Sequence, residues 1–229
     1  MYSKTLNQNR VLLYIYNCMT CLDLFSGTGS VSSQLIARGY ITITLDRDME
    51  ADIRTDILNW NYKEYEPNTF KFIWASPPCT EYSSAKTTAP RKIEEANRIV
   101  ERTLEFINFF KPEFYIIENP QTGLLKKQAF MQELDYIDVD YCKYGYPYRK
   151  RTRLWTNFKD KLEHTLRPLC KKDCGSMNET GKRHIAEAQR MPSGKKAQWG
   201  DRRKFSQSEL YRIPEKLIND VIDAIELSI

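Results

Sequence analysis

The chain has 229 residues, of which 41% are hydrophobic and 28% charged, with a formal net charge of +5. This length and apolar content suit one good-sized domain with a real core, and a mean hydropathy of −0.60 without a long uncharged apolar run excludes a transmembrane helix. The charge is unevenly spread: residues 143–204 hold 18 Lys and Arg against 6 Asp and Glu, and the rest of the chain holds 17 against 24. A basic block on an acidic body is the footprint of a polyanion, with nucleic acid the expected partner.

In chain order, "VLLYIYNCM" (11–19) is too short to span a membrane and lacks a small-residue cleavage site, so no signal peptide is expected. "CLDLFS" (21–26) reads as a strand running into "GTGS", and "SSQLIARGY" (32–40) as a helix closed by Gly39. "ITITLD" (41–46) and "FKFIWASP" (70–77) are β-rich strands. Residues 91–112 carry apolar side chains at helical spacing from Ile93 to Phe110 and stop at Pro112. "EFYIIEN" (113–119) is a buried strand, 123–134 a helix, and "YIDVDYCKY" (136–144) and "TRLWTNF" (152–158) two further strands. The pattern then fades over 159–212 before a helix at 213–229, with Pro214 in its first turn. Strands alternating with helices predict an α/β fold, a parallel sheet covered on both faces. The organisation is read as a main domain over 1–158, a short basic recognition region over 159–212, and a closing helix over 213–229.

In such a sheet, ligands bind beyond the carboxyl ends of the strands, and the chemistry-bearing residues fall there. Gly27 and Gly29 follow the first strand, where they let backbone approach a ligand closely. Asp46 ends the second strand, placed to accept from ribose hydroxyls, and Asp56 follows ten residues later, within reach of an adenine amino group. Together they point to an adenosine-type cofactor; no Gly-Lys-Ser/Thr phosphate loop is present. Pro77-Pro78-Cys79 follows the next strand and Glu118-Asn119-Pro120 ends the one after, so a thiol and a carboxyl overhang one pocket. Arg149, Arg151 and Arg153 alternate at the start of a later strand and are expected to share a face.

This ordered set resembles the DNA (cytosine-5)-methyltransferase family over residues 21–158. "DLFSGTGS", Asp46 and Asp56, "PCTEYS", "ENP" and Arg149-x-Arg151-x-Arg153 stand where that family has its cofactor turn, ribose and adenine acids, catalytic loop, Glu-Asn-Val and Gln-x-Arg-x-Arg. The resemblance implies a Rossmann-like class I S-adenosylmethionine-dependent methyltransferase sheet. S-adenosylmethionine would lie on Phe25, Gly27, Thr28, Gly29, Asp46, Arg47, Asp56, Ile57 and Pro78, with S-adenosylhomocysteine as product. It implies Cys79 as nucleophile at cytosine carbon 6, Glu118 at ring nitrogen 3, Asn119 orienting the loop, Arg151 on the base carbonyl and Arg153 supporting the pocket. The partner implied is double-stranded DNA with the target cytosine flipped out. Ser83, Ser84, Lys86, Arg149, Arg202 and Arg203 are its expected contacts. A monomer in the cytoplasm or on the nucleoid, of phage or viral type, fits this set.

The chain departs from the family pattern at Thr80 (Gln in the family), Pro120 (Val) and Arg149 (Gln), and "YRIP" (211–214) stands where the family has Gly-Asn. Two other readings stay open. An amino-methyltransferase has a Pro-Pro-aromatic motif, but here "SPPC" puts Cys79 at the stacking position; a non-catalytic binding relative would need neither Cys79 nor Glu118. RNA also remains open as the substrate. The six scattered cysteines suit a reduced protein rather than a disulfide scaffold. "CMTC" (18–21) overlaps the first strand and reads as core. "CKKDC" (170–174) with His184 offers three ligands of a zinc knuckle, with His164 as a fourth candidate, and no metal ligand is assigned on this alone.

Overall fold

A computed structural model of the protein describes residues 19–87, 89–186 and 205–228. Seven strands form one sheet: β1 (Thr20–Leu24), β2 (Ile41–Asp46), β3 (Ile53–Arg54), β4 (Phe72–Ala75), β5 (Phe114–Pro120), β6 (Tyr136–Asp140) and β7 (Arg151–Thr156), in the order β3-β2-β1-β4-β5-β7-β6. Helix α1 (Ser30–Ala37) links β1 to β2 and α2 (Ile93–Phe110) lies between β4 and β5. Short helices α3 (Ala129–Gln132), α4 (Lys159–Thr165) and α5 (Gln207–Tyr211) precede the closing helix α6 (Glu215–Glu226). This is the Rossmann-like α/β sheet that the strand–helix alternation predicts. None of the described helices is long and apolar enough to cross a membrane.

The central strands are buried on both faces, and alternate residues feed two cores. Cys21, Phe72, Trp74, Ile116 and Leu154 pack with α1 and α6, while Leu22, Ile73, Ile117 and Trp155 pack with α2. Helix α2 buries Ala96, Val100, Thr103, Phe106, Ile107 and Phe110 on one stripe and ends at Lys111, which turns left-handed (φ 47°) before Pro112. Helix α6 is held to α1 by burial of Leu217, Ile218, Val221 and Ile222. Arg38 reaches from the end of α1 to Asp223 (2.7 Å) and Glu226 (2.9 Å).

Several details differ from the sequence reading. The strand expected over 136–144 ends at Asp140, and Tyr141–Tyr144 is a 3-10 turn. β7 runs antiparallel to both β5 and β6. The reason is the connection: ten residues between β6 and β7 are too few for the dozen or more that a parallel crossover needs. The helix expected over 123–134 is a 3-10 turn (Leu125–Lys127) followed by the four-residue α3. α4 was not expected; Leu162 and Leu166 belong to the same core as α6. The two-residue β3 pairs with β2 and is too short to show a period.

Asp23, in the middle of β1, is 2% exposed and accepts the Ser32 N–H at the start of α1 (3.0 Å). Burial pushes its carboxyl up to about 7. Its folded value lies above the unfolded one of ~3.9. The stability it contributes is therefore fully present below about pH 4 and is lost as pH rises through 7. Asp23→Asn removes that titration. Its melting temperature should gain on wild type between pH 5 and pH 8; an offset constant with pH would contradict this.

Candidate active site

β1 ends in a turn with three left-handed residues, Phe25 (φ 61°), Gly27 (53°) and Gly29 (72°). Glycine adopts this conformation freely, but at Phe25 it costs about 1–2 kcal/mol, strain of the kind that collects at functional sites. The turn is locked from β2. Ser26 N–H donates to the Leu45 carbonyl (3.1 Å) and Gly27 N–H to Asp46 Oδ2 (2.9 Å). Asp46 Oδ1 accepts from the Asp48 (2.8 Å) and Met49 (2.9 Å) amides. The Ser26 hydroxyl is buried with no partner among the described residues. Asp56 accepts the Leu58 amide (2.9 Å) and lies 3.7 Å from Arg47, beside buried Ile57; Thr28 is exposed and 3.2 Å from the Ser30 hydroxyl.

The thiol stands one strand further along. β4 ends at Ala75, Pro77 is buried and Pro78 is exposed. Asn119 on β5 donates through Nδ2 to the Pro77 carbonyl (2.8 Å), tying the thiol loop to the neighbouring strand. The Cys79 carbonyl accepts the Tyr82 amide (3.1 Å), and buried Tyr82 donates its hydroxyl to Asn97 on α2 (2.9 Å). Gly123 lets the turn after β5 press on this loop: a Cβ there would sit 3.1 Å from the Pro120 carbonyl and 3.4 Å from that of Tyr82.

Glu118, 6% exposed, projects from β5 and accepts the Tyr141 hydroxyl on Oε1 (3.1 Å). Burial holds the Tyr141 phenol well above its ordinary value, so it stays a donor. Lys150 lies over the Tyr141 ring at 4.8 Å and donates to the Leu210 carbonyl on α5 (3.0 Å). Around Cys79, burial pushes the thiol up, Lys150 pulls it down, and Glu118 pushes it up again. The three groups therefore share one field, in which Lys150 is the cation that favours thiolate.

The arginines fall differently from the reading of one shared face over the pocket. Arg151 grips buried Asp140 through Nε (3.0 Å) and Nη2 (2.8 Å), and Arg153 grips Asp138 through Nε (2.8 Å) and Nη2 (3.0 Å). Asp138 and Asp140 stand directly opposite them on β6, and Glu118 stands opposite Leu154. Neighbours along a strand point to opposite faces, so Arg151 and Arg153 lie on the face away from Glu118. Arg149 is exposed beside His184. Lys86 is an ion-pair partner of Glu81 (2.6 Å). Arg91 braces its loop through the carbonyls of Glu81, Ser83 and Lys86. Ser83 is half-buried and Ser84 exposed. Arg202 and Arg203 lie outside the described residues.

Sequence reasoning missed Tyr141 and Lys150. A signal was present: Asp138-x-Asp140 and Arg151-x-Arg153 flank a ten-residue turn, as two complementary strands would.

A glycine turn after β1, an acid ending β2 and a thiol loop after β4 all stand at the carboxyl edge of a Rossmann-like sheet, the class of fold in which ligands bind at that edge. A scan of family models finds none that matches. The "Probable DNA (cytosine-5)-methyltransferase" of Frog virus 3 (isolate Goorha) is 33% identical over 224 residues, covering 90% of this chain and 99% of that protein. The chain belongs to the DNA (cytosine-5)-methyltransferase family. Among solved structures, a DNA modification methyltransferase of an E. coli prophage has a TM-score of 0.47 at 18% identity, covering 60% of this chain and 46% of that one. The S. pombe Dnmt2 methyltransferase has a TM-score of 0.42 at 18% identity, covering 61% and 49%.

Two substitutions should separate the two faces. Lys150→Gln should slow alkylation of the Cys79 peptide by iodoacetamide several-fold at pH 8, with little loss of stability. Arg151→Ala should leave alkylation of the native protein nearly unchanged but destabilise the fold by about 3 kcal/mol, because it strands the Asp140 carboxylate. Alkylation read by mass spectrometry and urea unfolding check both; the reverse pattern would contradict the assignment.

Proposed function

We propose that this protein methylates carbon 5 of cytosine in double-stranded DNA, using S-adenosylmethionine and releasing S-adenosylhomocysteine. The observation that carries the proposal is the convergence of Cys79 and Glu118 at adjoining strand ends, coupled by the Asn119–Pro77 hydrogen bond. Family membership supports the same chemistry. The locked turn at Phe25–Gly29 and the unpartnered Ser26 hydroxyl suit the polar end of the cofactor, and Asp46 and Asp56 suit its ribose and adenine. The bound cofactor supplies an electrophilic methyl group.

Carbon 5 of cytosine is a poor nucleophile. The Cys79 thiol gives its proton to solvent and its sulfur bonds to carbon 6, while Glu118, fixed through Oε1 by Tyr141, donates a proton to ring nitrogen 3. The electron pair then lies at carbon 5, which takes the methyl group. Return of the nitrogen 3 proton to Glu118, loss of the carbon 5 proton to solvent and cleavage of the carbon–sulfur bond restore the ring, and the departing thiolate takes a proton back from solvent. Burial raises the Cys79 pKa, and Lys150 offsets part of that rise. We assign to Lys150 the contact to the base carbonyl that the family resemblance gives to an arginine. The target base must leave the helix stack at a cost of a few kcal/mol. The exposed Arg149, the Ser83–Ser84 loop and the basic 159–212 region meet the duplex in this reading.

Methyl transfer to mixed-sequence DNA, followed by nucleoside analysis of the product, tests the reading. 5-Methylcytosine is expected with wild type. Cys79→Ala should lose all transfer while still binding the cofactor, and Glu118→Gln should lose several orders of magnitude. N4-methylcytosine or N6-methyladenine as product would overturn it.

A further inference from the structure

Away from the pocket, four side chains converge that the proposed reaction does not use. The sulfurs of Cys142, Cys170 and Cys174 and a ring nitrogen of His184 all lie within 4.8 Å of one another. We propose that these residues bind one structural zinc ion that fastens the basic segment to the wall of the active site.

The donor set and geometry suit that ion. Three sulfurs and an imidazole form a closed, soft, tetrahedral shell, the type that holds structural zinc rather than a catalytic ion with an open position. With Zn–S of about 2.3 Å and Zn–N of about 2.0–2.1 Å, a tetrahedron has an S···N edge of about 3.6 Å. Cys170 Sγ lies 3.6 Å from His184 Nε2.

The local fold brings the donors together. Cys170 and Cys174 bracket a tight turn in which Lys172 is left-handed (φ 70°) and donates its amide to Cys170 Sγ (3.3 Å). Such an N–H···S bond favours thiolate over thiol. The chain then doubles back: Met177 bridges His184, Asn178 N–H donates to the Arg183 carbonyl (2.8 Å) and Ile185 N–H to that of Ser176 (2.9 Å). That hairpin returns His184 to the two cysteines. The fourth donor comes from elsewhere: Cys142, 3% exposed, lies in the 3-10 turn Tyr141–Tyr144 that follows β6. It takes the place that sequence reasoning offered to His164, which is exposed on α4.

The role follows from what holds residues 170–186. Ile185 is 62% exposed, and Cys170 is the segment's one buried hydrophobic residue. Its other anchors include hydrogen bonds to the active-site wall, Cys170 N–H to Asp140 (3.0 Å), Ser176 hydroxyl to the Tyr146 carbonyl (2.7 Å) and Ala186 N–H to that of Pro147 (3.0 Å), and an ion pair of Asp173 with Lys143 (3.0 Å). A segment with so little core needs a staple. Binding releases three thiol protons, leaves His184 neutral, and gives a centre of charge −1 among Arg149, Lys171 and Lys172.

Elemental analysis of the full chain, purified in reducing buffer without added metal, is the test. We expect about one zinc per chain. After chelator removes it, titration with cobalt should produce the visible bands of a tetrahedral site and a near-ultraviolet thiolate band. Cys142→Ser and His184→Ala should each weaken metal affinity by more than about 10-fold, and His164→Ala should retain the metal. A folded wild-type chain that carries no zinc and gives no cobalt bands overturns the proposal, whether or not the variants fold. So does a disulfide among Cys142, Cys170 and Cys174 in the freshly isolated chain, or loss of metal in His164→Ala.

Discussion

The structure at the catalytic end of the sheet depends on two ion pairs, Asp138–Arg153 and Asp140–Arg151. Both are two-pronged, both join residues directly opposite on β6 and β7, and Asp140 is fully buried. A buried carboxylate is costly unless paired and hydrogen-bonded. Asp140 meets that demand with Arg151 and with the Cys170 amide. These pairs fix the register of the β6–β7 hairpin. A slip of one residue would turn each charge to the other face. With the arginines committed to one face, Thr152 and Leu154 must occupy the other, where Tyr141 meets Glu118 and Lys150 lies over the Tyr141 ring.

From that hairpin the site is assembled by strand ends rather than by any single motif. The turn after β1 is held open by an acid from β2, and the thiol loop after β4 is hung on an amide from β5. The carboxyl of β5 is oriented by a phenol that follows β6. The first two links cross from one strand to its neighbour, and the third reaches from β5 past β7 to the turn after β6. The thiol environment is a compromise between opposing effects. Burial and Glu118 favour the neutral thiol and Lys150 favours thiolate. Strain at Phe25 and the Ser26 hydroxyl, which has no partner among the described residues, fall at the same edge.

Much of this was legible in the sequence. β2 carries the bounds its β-branched run suggested, and the long stripe of α2 was clear, because strong periodicity survives any context. Cys79, Glu118 and Asn119 were legible as a group because each ends an apolar run beside a proline. The ion-pair partners of the arginines were harder to read. In "YRKRTR" both parities carry cations, and the sequence of one strand does not say which face is the pocket. Their partners lay in "DVD", whose acids stand opposite Arg151 and Arg153. The direction of β7 was recoverable from the length of its turn. Cys142 was not recoverable by spacing, because its partners lie 28 and more residues away and only the return of the chain across β6 brings them near.

The most direct test of the account is whether Cys79 bonds to the base. DNA carrying 5-fluorocytosine lacks the proton whose loss releases the enzyme, so the covalent intermediate accumulates after methyl transfer. The account predicts that wild type, cofactor and this DNA give an adduct that survives denaturation and maps to Cys79, and that Cys79→Ala gives none. An active enzyme that leaves no adduct, or an adduct at another residue, would contradict it.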